Sequence, residues 1–255
     1  MNKPTKAILF NIFYGCSAVA VVLVIWAVAA AIVGTEFILP NISATFKALF
    51  ELLGTAVFWL SLGGSVLRCL LSYAVSLGLF FLLFFLCSAF VPFRRIAEPI
   101  LSALRTLPTL AISLILAIWA GGFFAPVILG VTVIVPYLYS ATAARNSTVP
   151  RELEEVCAIS GAGRAQKFGS LYLPYAAAAF PESFASALSF NIKIVVSAEI
   201  LIQTASSIGM LMNTAKLYFE TARLIALVFA VVAVSVAAEL ALRATLNAAL
   251  RKYRD

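Results

Sequence analysis

Four charged residues stand in or beside strongly apolar sequence: Arg68, Glu182, Lys193 and Glu199. An ionisable group at the centre of a bilayer costs about 2.5–3.5 kcal/mol, so it turns toward a cavity or a partner. Arg68, Lys193 and Glu199, with the neighbouring amide Asn191, are therefore candidates to line a path for a small polar solute. Ser189, Ser197 and Gln203 add polar groups to the same region. Two other readings stay open for these side chains: snorkelling toward a membrane surface and bonding between helices. Glu182 and Lys193 are 11 positions apart, which places them on one helical face but out of contact. Lys193 and Glu199 are six apart, the wrong spacing for a pair along one helix.

Covalent chemistry has little to work with. The chain contains no His, which removes a Ser-His-Asp triad, a Cys-His pair and any His-containing metal site. Its 4 Cys (Cys16, Cys69, Cys87 and Cys157) form no CxxC pair and read as small hydrophobes. There is no nucleotide-binding G-x-x-x-x-G-K-[ST] run and no G-x-S-x-G elbow. No catalytic residue, cofactor or metal is expected.

The elements that would position these charges are membrane spans. Of 255 residues, 63% are hydrophobic and 11% charged, against about 25% charged in a soluble domain. Mean hydropathy is +1.06. A soluble enzyme, a disordered tail and a fibrous repeat are excluded, and a helical membrane bundle remains. Lys6 and Glu36 bracket 29 uncharged residues, too long for a cleavable leader and long enough to span. Arg105 and Arg145 bracket 39, enough for two spans joined at Gly121-Gly122. Six spans are expected, near 8–33, 69–91, 107–120, 124–142, 175–200 and 223–242, in a single domain over 1–255. Between the first two, Ser43 is the expected cap of an amphipathic helix carrying Phe46, Leu49, Phe50 and Leu53 on one face. The Phe-rich run 79–85 reads as lipid-facing or packing sequence, and 203–222 as a re-entrant or surface loop.

Six spans put both termini on one side, together with 12 of the 18 cations: Lys3, Lys6, Arg94, Arg95, Arg145, Arg151, Arg164, Lys167, Arg243, Arg251, Lys252 and Arg254. The positive-inside rule makes that side cytoplasmic. The net charge of +7 therefore reports orientation in a lipid bilayer and not nucleic-acid binding. No internal repeat of the kind found in secondary carriers is visible.

The long polar stretch, 145–174, lies on that same side. It reads as two short helices with a break. Pro150 suits a first helical turn, and Glu152 and Glu154 suit a positive helix N-terminus. Leu153, Val156 and Cys157 share a face, and Gly161 and Gly163 supply the break. Such a helix could plug a groove on a cytoplasmic partner. A solvated connector between spans is the other reading.

The same stretch resembles the EAA loop of permease subunits in bacterial ATP-binding-cassette importers. That pattern is E-A-A, three residues, G, nine residues, I-x-L-P. Here Glu155-Val156-Cys157 precedes Gly161 by the same interval, and Leu171-Tyr172-Leu173-Pro174 follows at the same distance. Phe37-Ile38-Leu39-Pro40, Ser65-Val66-Leu67-Arg68, Arg105-Thr106-Leu107-Pro108, Ser197-Ala198-Glu199-Ile200-Leu201 and Ser207-Ile208-Gly209 resemble stretches of nitrate, taurine and alkanesulfonate permeases. Trp119-Ala120-Gly121 departs from the Trp-Phe-Gly that relatives often carry.

The resemblance implies an all-α, MetI-like membrane domain in a bacterial inner membrane. It would pair with a second copy and bind cytoplasmic ATPase subunits and an extracytoplasmic solute-binding protein. The implied solute is small and polar or anionic, of nitrate, sulfonate, taurine or vitamin-precursor type. Glu155 would meet the ATPase, Gly161 would seat the coupling helix, and Leu173-Pro174 would re-enter the membrane. A carrier or channel driven by an ion gradient is the alternative, and a membrane-embedded enzyme a distant third.

Overall fold

The computed structural model describes residues 3–146 and 148–250. Expectations that rest on the side chains of Lys3, Lys6, Cys16, Arg145, Arg251, Lys252 and Arg254 lie outside the described residues. The chain divides into two compact units, 1–59 with 211–230, and 60–210 with 231–255.

In the first unit, α1 (Lys3–Val33) is followed by α2 (Ile42–Leu53). Asn41, not Ser43, caps α2: its Oδ1 accepts from the Ala44 amide at 2.7 Å and from the Ser43 hydroxyl at 2.9 Å. Asn41 has the extended backbone that a cap requires (φ −70°, ψ 161°), and Ser43 is already inside the helix. α2 buries Thr45 and Leu52 and leaves Phe46 and Phe50 exposed. The Trp26 indole donates to the Pro40 carbonyl at 3.1 Å and lies 5.7 Å from the Phe229 ring.

The second unit takes most of α3 (Ala56–Ala89), then α4 (Val91–Thr106), α5 (Thr109–Trp119) and α6 (Gly121–Asn146). After these come α7 (Arg151–Ile159), α8 (Arg164–Lys167), a π-helical turn (Phe168–Tyr172), α9 (Leu173–Ala177) and α10 (Phe180–Ile202). α11 (Ile208–Leu217) and α12 (Thr221–Leu250) complete the chain. α6 packs chiefly on α10 and α5. The core joins Phe80 and Phe84 of α3 to Ile134 and Leu138 of α6 and to Phe180 and Phe184 at the start of α10. The Phe-rich run thus divides: Phe80 and Phe84 pack inside, while Phe81 and Leu82 face outward.

Among the described residues, four helices are long and apolar enough to cross a membrane: Ala56–Ala89, Gly121–Ala144, Phe180–Ile202 and Thr221–Ala249. The protein is therefore a multi-pass membrane protein. A fifth crossing is available if α4 and α5, bent by 96° at their junction, count as one. The bend has a local cause. Pro108 lacks an amide hydrogen and holds Leu107 extended (φ −66°, ψ 133°), which stops α4. α5 alone has 11 residues, about 16 Å of helix, short of a bilayer core. A sixth crossing would rest on α1, of which the described apolar part is Ala20–Val33. The structure also revises three boundaries. α3 starts at Ala56 and not near residue 69, residues 208–217 of the expected loop are helical, and α12 runs on to Leu250.

α3 shows how the membrane inverts burial. Ser61, Ser65, Arg68, Ser72 and Ser76 recur at helical spacing and are all buried. Val66, Leu67, Leu70 and Leu71 are exposed on the other side. Lipid is as apolar as leucine, so the polar stripe packs inward and bonds neighbouring helices.

Candidate functional site

The described part of the loop, 148–174, folds as α7, a break, and then α8 running through the π-helical turn into α9. Pro150 stands at the N-cap of α7 in extended geometry (φ −60°, ψ 137°). Glu152 and Glu154 occupy the first turn, where the helix dipole favours acids. α7 ends in a Schellman motif: the Gly161 amide donates to the Ala158 carbonyl and the Ala162 amide to the Cys157 carbonyl, both at 3.2 Å. Gly161 takes the left-handed conformation this needs, φ 66°. Further on, Pro174 offers no amide hydrogen to the Ser170 carbonyl. Just before it the Leu173 amide reaches back five residues to the Phe168 carbonyl, giving the π-helical turn.

α7 has no buried residue among those described. Leu153 is 44% exposed, Val156 62% and Ile159 87%, an apolar stripe left largely open by the described residues. Glu155 is exposed and makes no ion pair among the described residues, and Cys157 is half-buried. Leu173 packs on the core and Pro174 is exposed.

Sequence reasoning missed the contacts that hold this loop in place. The Tyr172 hydroxyl donates to Glu154 Oε1 at 2.9 Å, and Lys167 Nζ lies 5.5 Å from the Tyr172 ring centre. Burial first, and then the Glu154 carboxylate, push the Tyr172 phenol up to about 12. The Arg164 guanidinium lies 4.9 Å from the centre of the Phe90 ring, and Phe168 meets Phe84 and Phe85 at 5.1 and 5.2 Å. Position in the sequence gives Glu154 a role at the helix dipole alone. A periodicity argument within α7 cannot find a tyrosine 18 residues away.

The candidate path residues separate into two groups. Arg68 Nε donates to Glu199 Oε1 at 2.8 Å, with side-chain exposures of 3% and 0%. Glu199 Oε2 accepts from the Ser65 hydroxyl at 2.7 Å and the Gly209 amide at 3.3 Å. Arg68 also donates to the carbonyls of Ser206 (3.0 Å) and Ala205 (3.4 Å), and the Ile208 amide donates to Ser65 Oγ at 2.9 Å. This network ties α3 to α10 and clamps the 203–207 connection, in which Gln203 and Ser206 both have positive φ. Gly209 fits because any Cβ there would collide with Glu199 and the backbone of Ile200. One turn along α3, the Asn191 amide donates to the Cys69 carbonyl at 2.9 Å, and its Oδ1 accepts from Ser72 at 3.0 Å.

Arg68, Glu199 and Asn191 are thus buried and bonded to protein. Lys193 is exposed near the middle of α10 and makes no ion pair among the described residues. Glu182, at the start of α10, lies 3.8 Å from Arg243.

Comparison with curated proteins finds no match. A family profile described as "binding-protein-dependent transport system inner membrane component" matches residues 75–247, which include the loop, α10 and most of α12. The chain therefore belongs to the family of inner-membrane components of binding-protein-dependent transport systems.

Proposed function

We propose that this importer subunit is half of a translocation path, completed by a second copy and driven by a separate cytoplasmic ATPase that docks on α7. The observation that carries the reading is the exposed stripe of Leu153, Val156 and Ile159 on a helix with no fully buried residue among those described. Water does not favour such a stripe, and a groove on a partner would cover it. Glu155 flanks the stripe and supplies a charge for pairing at its rim. Gly161 fixes the helix end, and the Glu154–Tyr172 bond and the Phe168 contacts hold the loop against the spans. Closure of two ATPases would thereby pull on α9 and α10. An extracytoplasmic binding protein delivers the solute on the opposite side, and both termini are cytoplasmic. Lys193 and Ser197 on the exposed face of α10 line the path; the Arg68–Glu199 pair holds its walls.

Purification from the native membrane in a mild detergent tests this reading. The expected result is a co-purifying ATPase with measurable ATP hydrolysis, lost in Glu155→Lys and Val156→Asp while the permease itself stays monodisperse. A permease that comes out alone and intact would overturn it.

A further inference from the structure

α10 carries one stripe that the other described residues leave open: Glu182, Phe190, Lys193, Ser197 and Leu201 are exposed, at intervals of three, four and eight. Asn191, Val195, Val196 and Glu199, which lie between them in the chain, are buried. Lys193 stands nine residues from the nearer end of the helix, about 14 Å along the axis. That is farther than a lysine side chain extends, so it cannot reach a membrane surface by snorkelling. An ammonium at this depth facing lipid is strongly disfavoured. Ser197, one turn along, repeats the polar character on the same face.

The other charges of this region do not offset it. Arg68 and Glu199 neutralise each other inside the packing. Glu182 is 11 residues away, about 16 Å along the helix, beside Arg243. Lys193 is the charge left without a counter-charge on this face of α10 among the described residues.

We infer that Lys193 is the anion-recognising residue of the path, that the exposed α10 face lines water, and that the transported solute carries an anionic group. This rests on the importer reading above; of the polar and anionic solutes that reading leaves open, it selects those bearing an anionic group and names the residue that meets it.

The test uses thiol reagents of opposite charge, so it does not require the solute to be known. Ser197→Cys is introduced into the permease–ATPase complex, reconstituted in lipid nanodiscs. It is reacted with an anionic methanethiosulfonate (sulfonate-tailed) and a cationic one (trimethylammonium-tailed), and modification at residue 197 is read by mass spectrometry. Rates are normalised to those of free cysteine. One charge about 6 Å away in a watery path favours the anionic reagent by roughly tenfold over the cationic one. Lys193→Met is expected to bring that ratio close to one, and Lys193→Arg to retain it. Leu70→Cys, on the outward apolar face of α3, is expected to stay unmodified.

No reaction at residue 197 would mean that lipid or a second copy covers the face, and would overturn the inference. So would reaction without charge preference, or a preference that survives in Lys193→Met. Should Lys193→Met fail to assemble, Lys193→Gln is compared with Lys193→Arg. ATPase content is measured on the same samples. Retained ATPase with no charge preference overturns this inference alone, whereas absence of an ATPase from the unmodified protein overturns the importer reading.

Discussion

In α7 the apolar side chains of Leu153, Val156 and Ile159 lie open, whereas around α3 the charges of Arg68 and Glu199 are sealed away. The second arrangement is complete within one chain. Each carboxylate oxygen of Glu199 has a donor, and Arg68 Nη2 donates to two loop carbonyls. The first is incomplete by the same accounting, because a stripe of this kind is stabilised only when something covers it. The difference teaches where to look for function: a satisfied network fixes geometry, and an unsatisfied surface awaits a partner.

Breaking the sealed region should have the largest effect. Arg68→Met leaves the Glu199 carboxylate buried without its counter-charge, a loss of about 3–5 kcal/mol. Thermal melting in detergent checks this, and Arg68→Met combined with Glu199→Met should recover most of the loss. Gly161→Val forces a β-branched residue into the left-handed region, at a cost of about 1–2 kcal/mol. Its expected signature is reduced ATPase recovery on purification with little change in the melting of the spans. Val156→Asp should weaken ATPase association by about tenfold or more, the range of a truncated interface anchor, and leave the melting temperature unchanged. If Val156→Asp unfolds the protein instead, α7 is packed and the comparison collapses.

The smallest effect belongs to the contact that joins the loop to itself. Tyr172→Phe removes one hydrogen bond to Glu154, about 1 kcal/mol at neutral pH. The phenol is pushed up from 10.0 to about 12, so the folded protein favours its neutral form. Its contribution is fully present below pH 10 and is lost as the pH rises toward 12. The difference in stability between wild type and Tyr172→Phe should therefore shrink over that interval, measured as paired melts across pH.

The legible parts of this protein were those with a local cause. Apolar run lengths and the positions of Lys and Arg marked it as a helical membrane protein. The spacing from Glu155 through Gly161 to Pro174 marked the loop, and Gly161 has the positive φ expected of a break. The turn at Gly121, φ 67°, was readable for the same reason. By contrast, α5 proved too short to cross alone, because Pro108 turns the chain by 96° where uncharged length suggested a plain span.

The sequence by itself determined which residues have a chemical reason to turn from lipid: Arg68, Asn191, Lys193 and Glu199 are candidates on charge and polarity alone. Only the tertiary structure decided what each one faces. Arg68 and Glu199 are 131 positions apart in the chain, and no period of 3.6 connects two helices across such an interval. Their pairing follows from helix packing, which sets which stripes meet. The same packing, with Val195, Val196 and Glu199 turned inward, leaves Lys193 on the open face. Spacing along one helix separates the faces; which face is covered depends on neighbours that the spacing does not encode.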